Sequence, residues 1–285
     1  MKKYIQYCIP IALLTLVTLF SCKHTSSVAK DNEITFDTVR INDNYHINND
    51  STMPSCNLKL TFVYPIKYEG SASMLDSVQD VFISNFLDPS YAVFRSTPSQ
   101  ALEKYKEAYI ENYLRDIDIF YKNKNAQHDT NEKYLSYYET IENNIVYNKN
   151  NILSFQISQT NYKGGTFSYL LLKNYSIDLN TGKVIFEKDI FNADYENALS
   201  EIFKEHLLRD NNVKSISDLE NMGYFGVDEI TPNENLLIDD KGITYIFNKG
   251  EYSTYKLDPI TISIPYEEVE QFLKKDSPIS QFIEN

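Results

Sequence analysis

Four histidines, three cysteines and two acidic runs are the side chains in this 285-residue chain that could carry chemistry. His24, His46, His128 and His206 are scattered, with no His-Glu-x-x-His or comparable ligand spacing, so no zinc centre is expected. His206 falls near the C-terminal end of an amphipathic stretch, where the helix dipole favours a cation, and reads as structural. Asp239-Asp240-Lys241-Gly242 lies between two apolar runs. It has the chemistry of a hairpin turn and lacks the spaced oxygen ligands of a calcium loop. Glu267, Glu268 and Glu270 open a closing helix, where anions are stabilised, and a glycosidase pair would need two carboxylates facing a cleft. Gly164-Gly165 is too short to cradle a phosphate, and neither a Gly-x-Ser-x-Gly elbow nor a Ser-x-x-Lys motif occurs. The expectation is therefore no catalytic residue, no metal site and no cofactor.

The N-terminus is more informative. Lys2 and Lys3 precede an apolar stretch from Ile9 to Phe20, short of the ~20 apolar residues of a membrane span and placed as in a signal peptide. It ends in Leu19-Phe20-Ser21-Cys22, which resembles the lipobox of bacterial lipoproteins, in which the cysteine is acylated and becomes the mature N-terminus. Residues 1–21 are read as the signal peptide and Cys22 as the lipidated residue, so the mature protein is expected to be anchored to a membrane without spanning it. Lys23 is not the Asp that retains lipoproteins in the inner membrane of enteric bacteria, which favours the outer membrane. Of the other cysteines Cys8 leaves with the signal, and Cys56 opens an apolar strand with no partner, which suits core packing.

Net charge narrows the partners. The chain carries −13, which loss of Lys2 and Lys3 takes to −15. That disfavours nucleic acid and anionic lipid surfaces and is compatible with a cationic partner. The 23 Tyr and 16 Phe, with no Trp, suit half-exposed sheet faces, although lack of Trp removes the best sugar-stacking platform.

Periodicity supplies the scaffold. The polar text of residues 22–55 reads as a flexible tether in which Ile34 to Ile41 could form a short edge strand. Alternation of Leu58, Leu60, Phe62 and Tyr64 with polar neighbours predicts a half-buried strand. Ser73 with Asp76 predicts the start of a helix with an apolar stripe at Leu75, Val78, Phe82 and Phe86. Thr97-Pro98 with Gln100 opens the longest helix, its inner face Leu102, Tyr105, Tyr109, Tyr113 and Ile117. Strands are expected over Tyr134 to Tyr147 and Ile152 to Thr160, then a central hairpin across Asp178 to Lys183, where Gly182 can take the left-handed conformation. Asn192 is expected to cap a helix running to about Arg209. Another hairpin, Leu236 to Ile238 with Ile243 to Phe247, a last strand at Ile260 to Ile264 and a closing helix complete the pattern. The fold class read from this is α+β, an antiparallel sheet of meander and hairpins packed by several α-helices, in subdomains 56–160 and 161–285.

Gly164-Gly165, Thr181-Gly182-Lys183, Asp189-Ile190-Phe191, Glu251, Tyr255 and Ile264-Pro265-Tyr266, in that order, resemble the C-terminal domain family shared by the lysozyme-sensing anti-sigma factor RsiV and the peptidoglycan deacetylase PdaC. The strand Leu58 to Pro65 and the helix after it look like the companion N-terminal domain. Thr166-Phe167 stand where that family has Ala-His, Gly250 replaces a Tyr, Thr254 a Pro and Asp258 a Gly, so any role of the His does not carry over. The resemblance implies a noncatalytic extracytoplasmic module of unknown function. In the deacetylase a separate domain does the chemistry, and none is expected after Asn285. No cytoplasmic segment is expected before the anchor, so direct sigma-factor binding is not implied. The partners implied are a lysozyme-like cationic protein or peptidoglycan, with Glu251, Tyr252 and Tyr255 the candidate contacts. The alternative is a peptidoglycan- or glycan-processing enzyme or its accessory, which would need clustered carboxylates in a deep cleft.

Overall fold

A computed structural model describes residues 30–123, 135–164 and 168–283. The signal segment, Cys22, His24, His128 and Gly165 to Phe167 lie outside the described residues. The fold is α+β, built on a six-stranded sheet of order β1-β2-β3-β4-β5-β6 and a three-stranded sheet of order β7-β8-β9.

In the first sheet, β1 (Ile34–His46) pairs antiparallel with β2 (Ser55–Tyr68) from Ile34↔Tyr68 to His46↔Ser55. This corrects the reading of 22–55 as a tether: the short edge strand expected at Ile34 to Ile41 is present and runs on to His46. Its weak periodicity reflects an edge position, where half-exposed residues do not alternate cleanly. On β2 Leu58, Leu60 and Phe62 of the predicted alternation are buried and Tyr64 is half-buried, with Cys56 buried on the same face. Helices α1 (Ala72–Phe86) and α2 (Pro98–Asn123) follow. Ser71, two residues before the expected cap, accepts from the Met74 amide and starts α1. The stripe Val78, Phe82, Ile83 and Phe86 faces the sheet, with the Phe82 ring 4.1 Å from Phe155 and Phe86 4.6 Å from Phe62.

The two helices carry the chain across to β3 (Tyr137–Lys149), which pairs with β2 in parallel. A parallel neighbour requires such a crossover. From there β3, β4 (Ile152–Tyr162), β5 (Tyr169–Asp178) and the two-residue β6 (Lys183–Val184) form the expected antiparallel meander. Asn150 and Asn151, both at positive φ, make the β3–β4 turn. Gly182, at φ 69°, closes the β5–β6 turn. The boundary expected at 160/161 runs through the paired β4–β5 hairpin, so the six-stranded sheet does not divide there.

The remainder packs as a second layer. It comprises α3 (Glu187–Ile190), α4 (Tyr195–Asp210), α5 (Ile216–Met222), β7 (Leu236–Ile238), β8 (Gly242–Phe247), β9 (Ile260–Pro265) and the single turn α6 (Tyr266–Val269). Asp194, not Asn192, precedes α4, and Asn192 instead donates its side-chain Nδ2 to the Leu273 carbonyl. Two apolar cores result. One joins α1 and α2 to the six-stranded sheet, and the other gathers Leu199, Phe203, Tyr245, Phe247 and Ile262 around the three-stranded sheet. At about 1.5–3 kcal/mol per large apolar side chain, these are the main stabilising terms. Tyr147 and Ile152, beside the β3–β4 turn, belong to the second core and tie the layers together.

Candidate functional site

Among the described residues no further strand lies beside the edge of β5 past β6. Polar side chains of the second layer cover it instead. The Leu172 amide donates to Asn248 Oδ1 at 2.7 Å, and its carbonyl accepts from Asn235 Nδ2 and Asn248 Nδ2 at 3.1 and 3.0 Å. Asn235 Nδ2 also donates to the Ile246 carbonyl at 2.8 Å, and Asn233 donates to the same oxygen at 3.0 Å. Side-chain amides thus stand in for the peptide groups of a missing neighbour strand. A second joint is buried: Ser154 Oγ donates to the Ile238 carbonyl at 2.6 Å, and Ser176 Oγ accepts from the Ile238 amide at 3.0 Å.

Above the asparagines opens a groove of about 420 Å³ lined by Leu171 to Tyr175, Asn233, Glu234, Asn235, Asn248 and Glu251. Glu251 is on its wall, exposed, and accepts from Asn233 Nδ2 at 3.2 Å. Tyr255 is 52% exposed and meets the 57% exposed Tyr169 edge to face, ring centroids 6.1 Å apart. Tyr252 differs from the other two predicted contacts. Its ring packs on Phe247 at 5.4 Å and its hydroxyl accepts from the Thr231 amide at 3.3 Å, which makes it part of the loop's support. The structure adds Leu171, Lys173, Asn233 and Glu234 to this surface. Only the density of Asn and Glu in Asn233-Glu234-Asn235 hinted at them.

Behind the groove, Glu234 and Glu187 clasp one another. The Glu187 amide donates to Glu234 Oε2 at 2.8 Å and the Glu234 amide donates to Glu187 Oε1 at 2.9 Å. Glu187 is buried and its other oxygen accepts from the Tyr195 hydroxyl at 3.0 Å. Burial pushes the Glu187 carboxyl above its usual range, against the lowering effect of the Glu234 amide.

Among the described residues, the other side chains considered for chemistry make local contacts. His206 Nδ1 accepts from Arg209 at 2.8 Å, because a guanidinium can only donate, so the ring proton sits on Nε2 and is donated to Glu268 at 2.7 Å. His46 contacts the Met53 carbonyl at the end of β1. Asp239 accepts from the Lys241 and Gly242 amides, as a turn residue does. Cys56 is buried, and burial pushes its thiol up to about 12. Among the described residues no group of three or more His, Cys, Asp or Glu side chains is placed to hold a metal ion, and no helix is long and apolar enough to cross a membrane. The groove can hydrogen-bond an extended polar ligand; of its two carboxylates, Glu234 accepts from the Glu187 backbone amide and Glu251 from the Asn233 side chain.

Comparison with known proteins gives a family without an assigned activity. The family model described as "Protein of unknown function (DUF3298)" matches residues 188–267. The chain is similar to a solved DUF3298-family protein from Bacteroides fragilis, 30% identical, with 90% of this chain and 100% of that one covered and a TM-score of 0.81. A DUF3298-family protein from Pseudomonas aeruginosa is 10% identical over 84% of this chain and 95% of that one, TM-score 0.57, a likeness of fold alone. No curated protein is matched.

Proposed function

This chain belongs to the DUF3298 family, whose function is unknown, and we propose that it is a lipid-anchored protein of the bacterial cell envelope that binds a protein or cell-wall ligand without transforming it. The anchor is Cys22, supported by the basic start, the apolar stretch and the Leu-Phe-Ser-Cys text. The observation that carries the binding reading is the polar groove between the sheets, with Glu251 on its wall and the Tyr169–Tyr255 pair exposed. A lysozyme-like cationic protein fits the acidic chain, which would steer its encounter. In a pull-down, lysozyme is retained at low salt and released as salt rises, and Glu251→Lys weakens retention. No retention at low salt overturns the cationic-partner version. Mass spectrometry of the mature N-terminus tests acylation of Cys22.

A second reading, glycan processing, is favoured only by Glu234, which lines the groove with Glu187 behind it. Each gives an oxygen to the other's backbone amide, and Glu187 gives its second to the Tyr195 hydroxyl. Turnover of peptidoglycan by the purified protein, abolished in Glu234→Gln, would establish that reading over the first.

A further inference from the structure

The first described residues, from Lys30, are tied into the fold. Lys30 and Asn150 exchange two hydrogen bonds, Lys30 N–H to Asn150 Oδ1 and Asn150 N–H to the Lys30 carbonyl, both at 2.8 Å. Asp31 bridges to Lys149. Asn32 is buried and inserts its side chain into the turn, donating to Asn148 Oδ1 at 3.1 Å and the Ile152 carbonyl at 2.8 Å, and accepting from the Asn151 amide at 2.7 Å. The chain is therefore stapled to the β3–β4 turn. Gln281 joins the same end by donating to the Asn150 carbonyl at 2.9 Å.

We infer that this end of the molecule, the β3–β4 turn with Lys30 to Glu33, Tyr68 to Gly70 and Gln281 around a pocket of about 520 Å³, is the surface that faces the lipid bilayer. The inference rests on the proposed anchor at Cys22. From there to Lys30 is about eight residues, which reach at most roughly 26–29 Å when fully extended and far less on average. A tether ending at Ser55 would have set no orientation; one ending at Lys30, fixed to a strand turn, does. Strand β4 alone, 11 residues, places its far end about 37 Å from the turn. The stacked pair Tyr138–Tyr162 and the pair Tyr169–Tyr255 lie toward that far end, directed away from the membrane and open to soluble or wall-bound partners.

The test uses the full lipidated protein in neutral phosphatidylcholine vesicles carrying an acceptor dye on a trace lipid. A donor dye is placed on Lys149→Cys at the turn end or on Ser168→Cys at the far end; Cys56, buried, leaves the introduced thiol as the labelling site. Energy transfer several-fold stronger from position 149 than from 168 supports the inference, and loss of that difference after a 30-residue Gly-Ser insertion following Lys23 supports the tether as its cause. Equal transfer from both positions, or stronger transfer from 168, overturns it. Failure of the protein to float with vesicles defeats the anchor itself, an outcome distinct from a wrong orientation and equally fatal to the inference.

Discussion

Asn235 Oδ1 accepts two hydrogen bonds from Asn174, one from its backbone amide and one from its side-chain Nδ2, both at 2.9 Å. Asn174 sits on β5 and Asn235 immediately before β7, so this contact crosses between the sheets. Because Asn235 Nδ2 also reaches the Leu172 and Ile246 carbonyls, one planar amide satisfies peptide groups of both layers. The same arrangement closes the β5 edge to other strands and forms the floor of the groove.

Asn235→Ala is expected to destabilise the protein by about 1–3 kcal/mol, because it leaves the Asn174 amide without its partner in a part-buried joint. Leu114→Ala, on the exposed face of α2, serves as a comparison with little effect. Urea unfolding measures both, and an Asn235 variant no weaker than the Leu114 variant would show that water replaces the amide without loss.

Cys56 should not react in the folded protein. Only the thiolate attacks maleimides, and a thiol pushed up to about 12 and buried at the base of β2 supplies almost none at pH 8. Labelling is expected to follow global unfolding and to become rapid in denaturant. Native-state labelling at the unfolded rate would contradict the placement of this side chain.

Glu187 sets an acid-side pH dependence. Its folded carboxyl titrates above the ordinary value of about 4.3, so the folded chain holds that proton more tightly than the unfolded chain. Its contribution is fully present below the ordinary value and is lost as pH rises through the raised one. Wild type should thus lose stability relative to Glu187→Gln between acid and neutral pH. Denaturant unfolding at several pH values reads that difference, and an opposite slope would mean that the clasp with Glu234 outweighs burial.

Alternation at Leu58, Leu60 and Phe62 and the helical stripe from Leu102 to Ile117 were legible because each element contacts one core and so shows one period. β1 was legible only in part, as a short edge strand over Ile34 to Ile41, since a strand with Asp37, Arg40 and Asp43 among half-exposed neighbours otherwise reads like polar linker text. The parallel β2–β3 pair was also hidden, because pairing across α1 and α2 leaves no mark in either strand. For the groove, Glu251 and Tyr255 could be found as charge and aromatic area in a loop. Leu171 and Lys173 could not, since their place on the groove follows from β6 ending after Val184 and from asparagines distant in sequence covering the adjacent edge.

Gly242 allows one last expectation. It pairs with Pro265 where β8 meets β9, and a Cβ there would lie 2.1 Å from the Ile264 carbonyl oxygen and 2.9 Å from its carbon, both backbone atoms. No rotamer change can relieve a contact with backbone, so Gly242→Ala must push β9 away from β8. That movement reaches the neighbouring Tyr266, whose hydroxyl donates to the Asp239 carbonyl at 2.5 Å across the β7–β8 turn. The cost expected for such overpacking is about 1–3 kcal/mol, read as a lower thermal midpoint. Lys241→Ala, one residue earlier and exposed, should leave the midpoint nearly unchanged. Equal midpoints for the two variants would show that the strands separate freely at this point and that glycine is not required there.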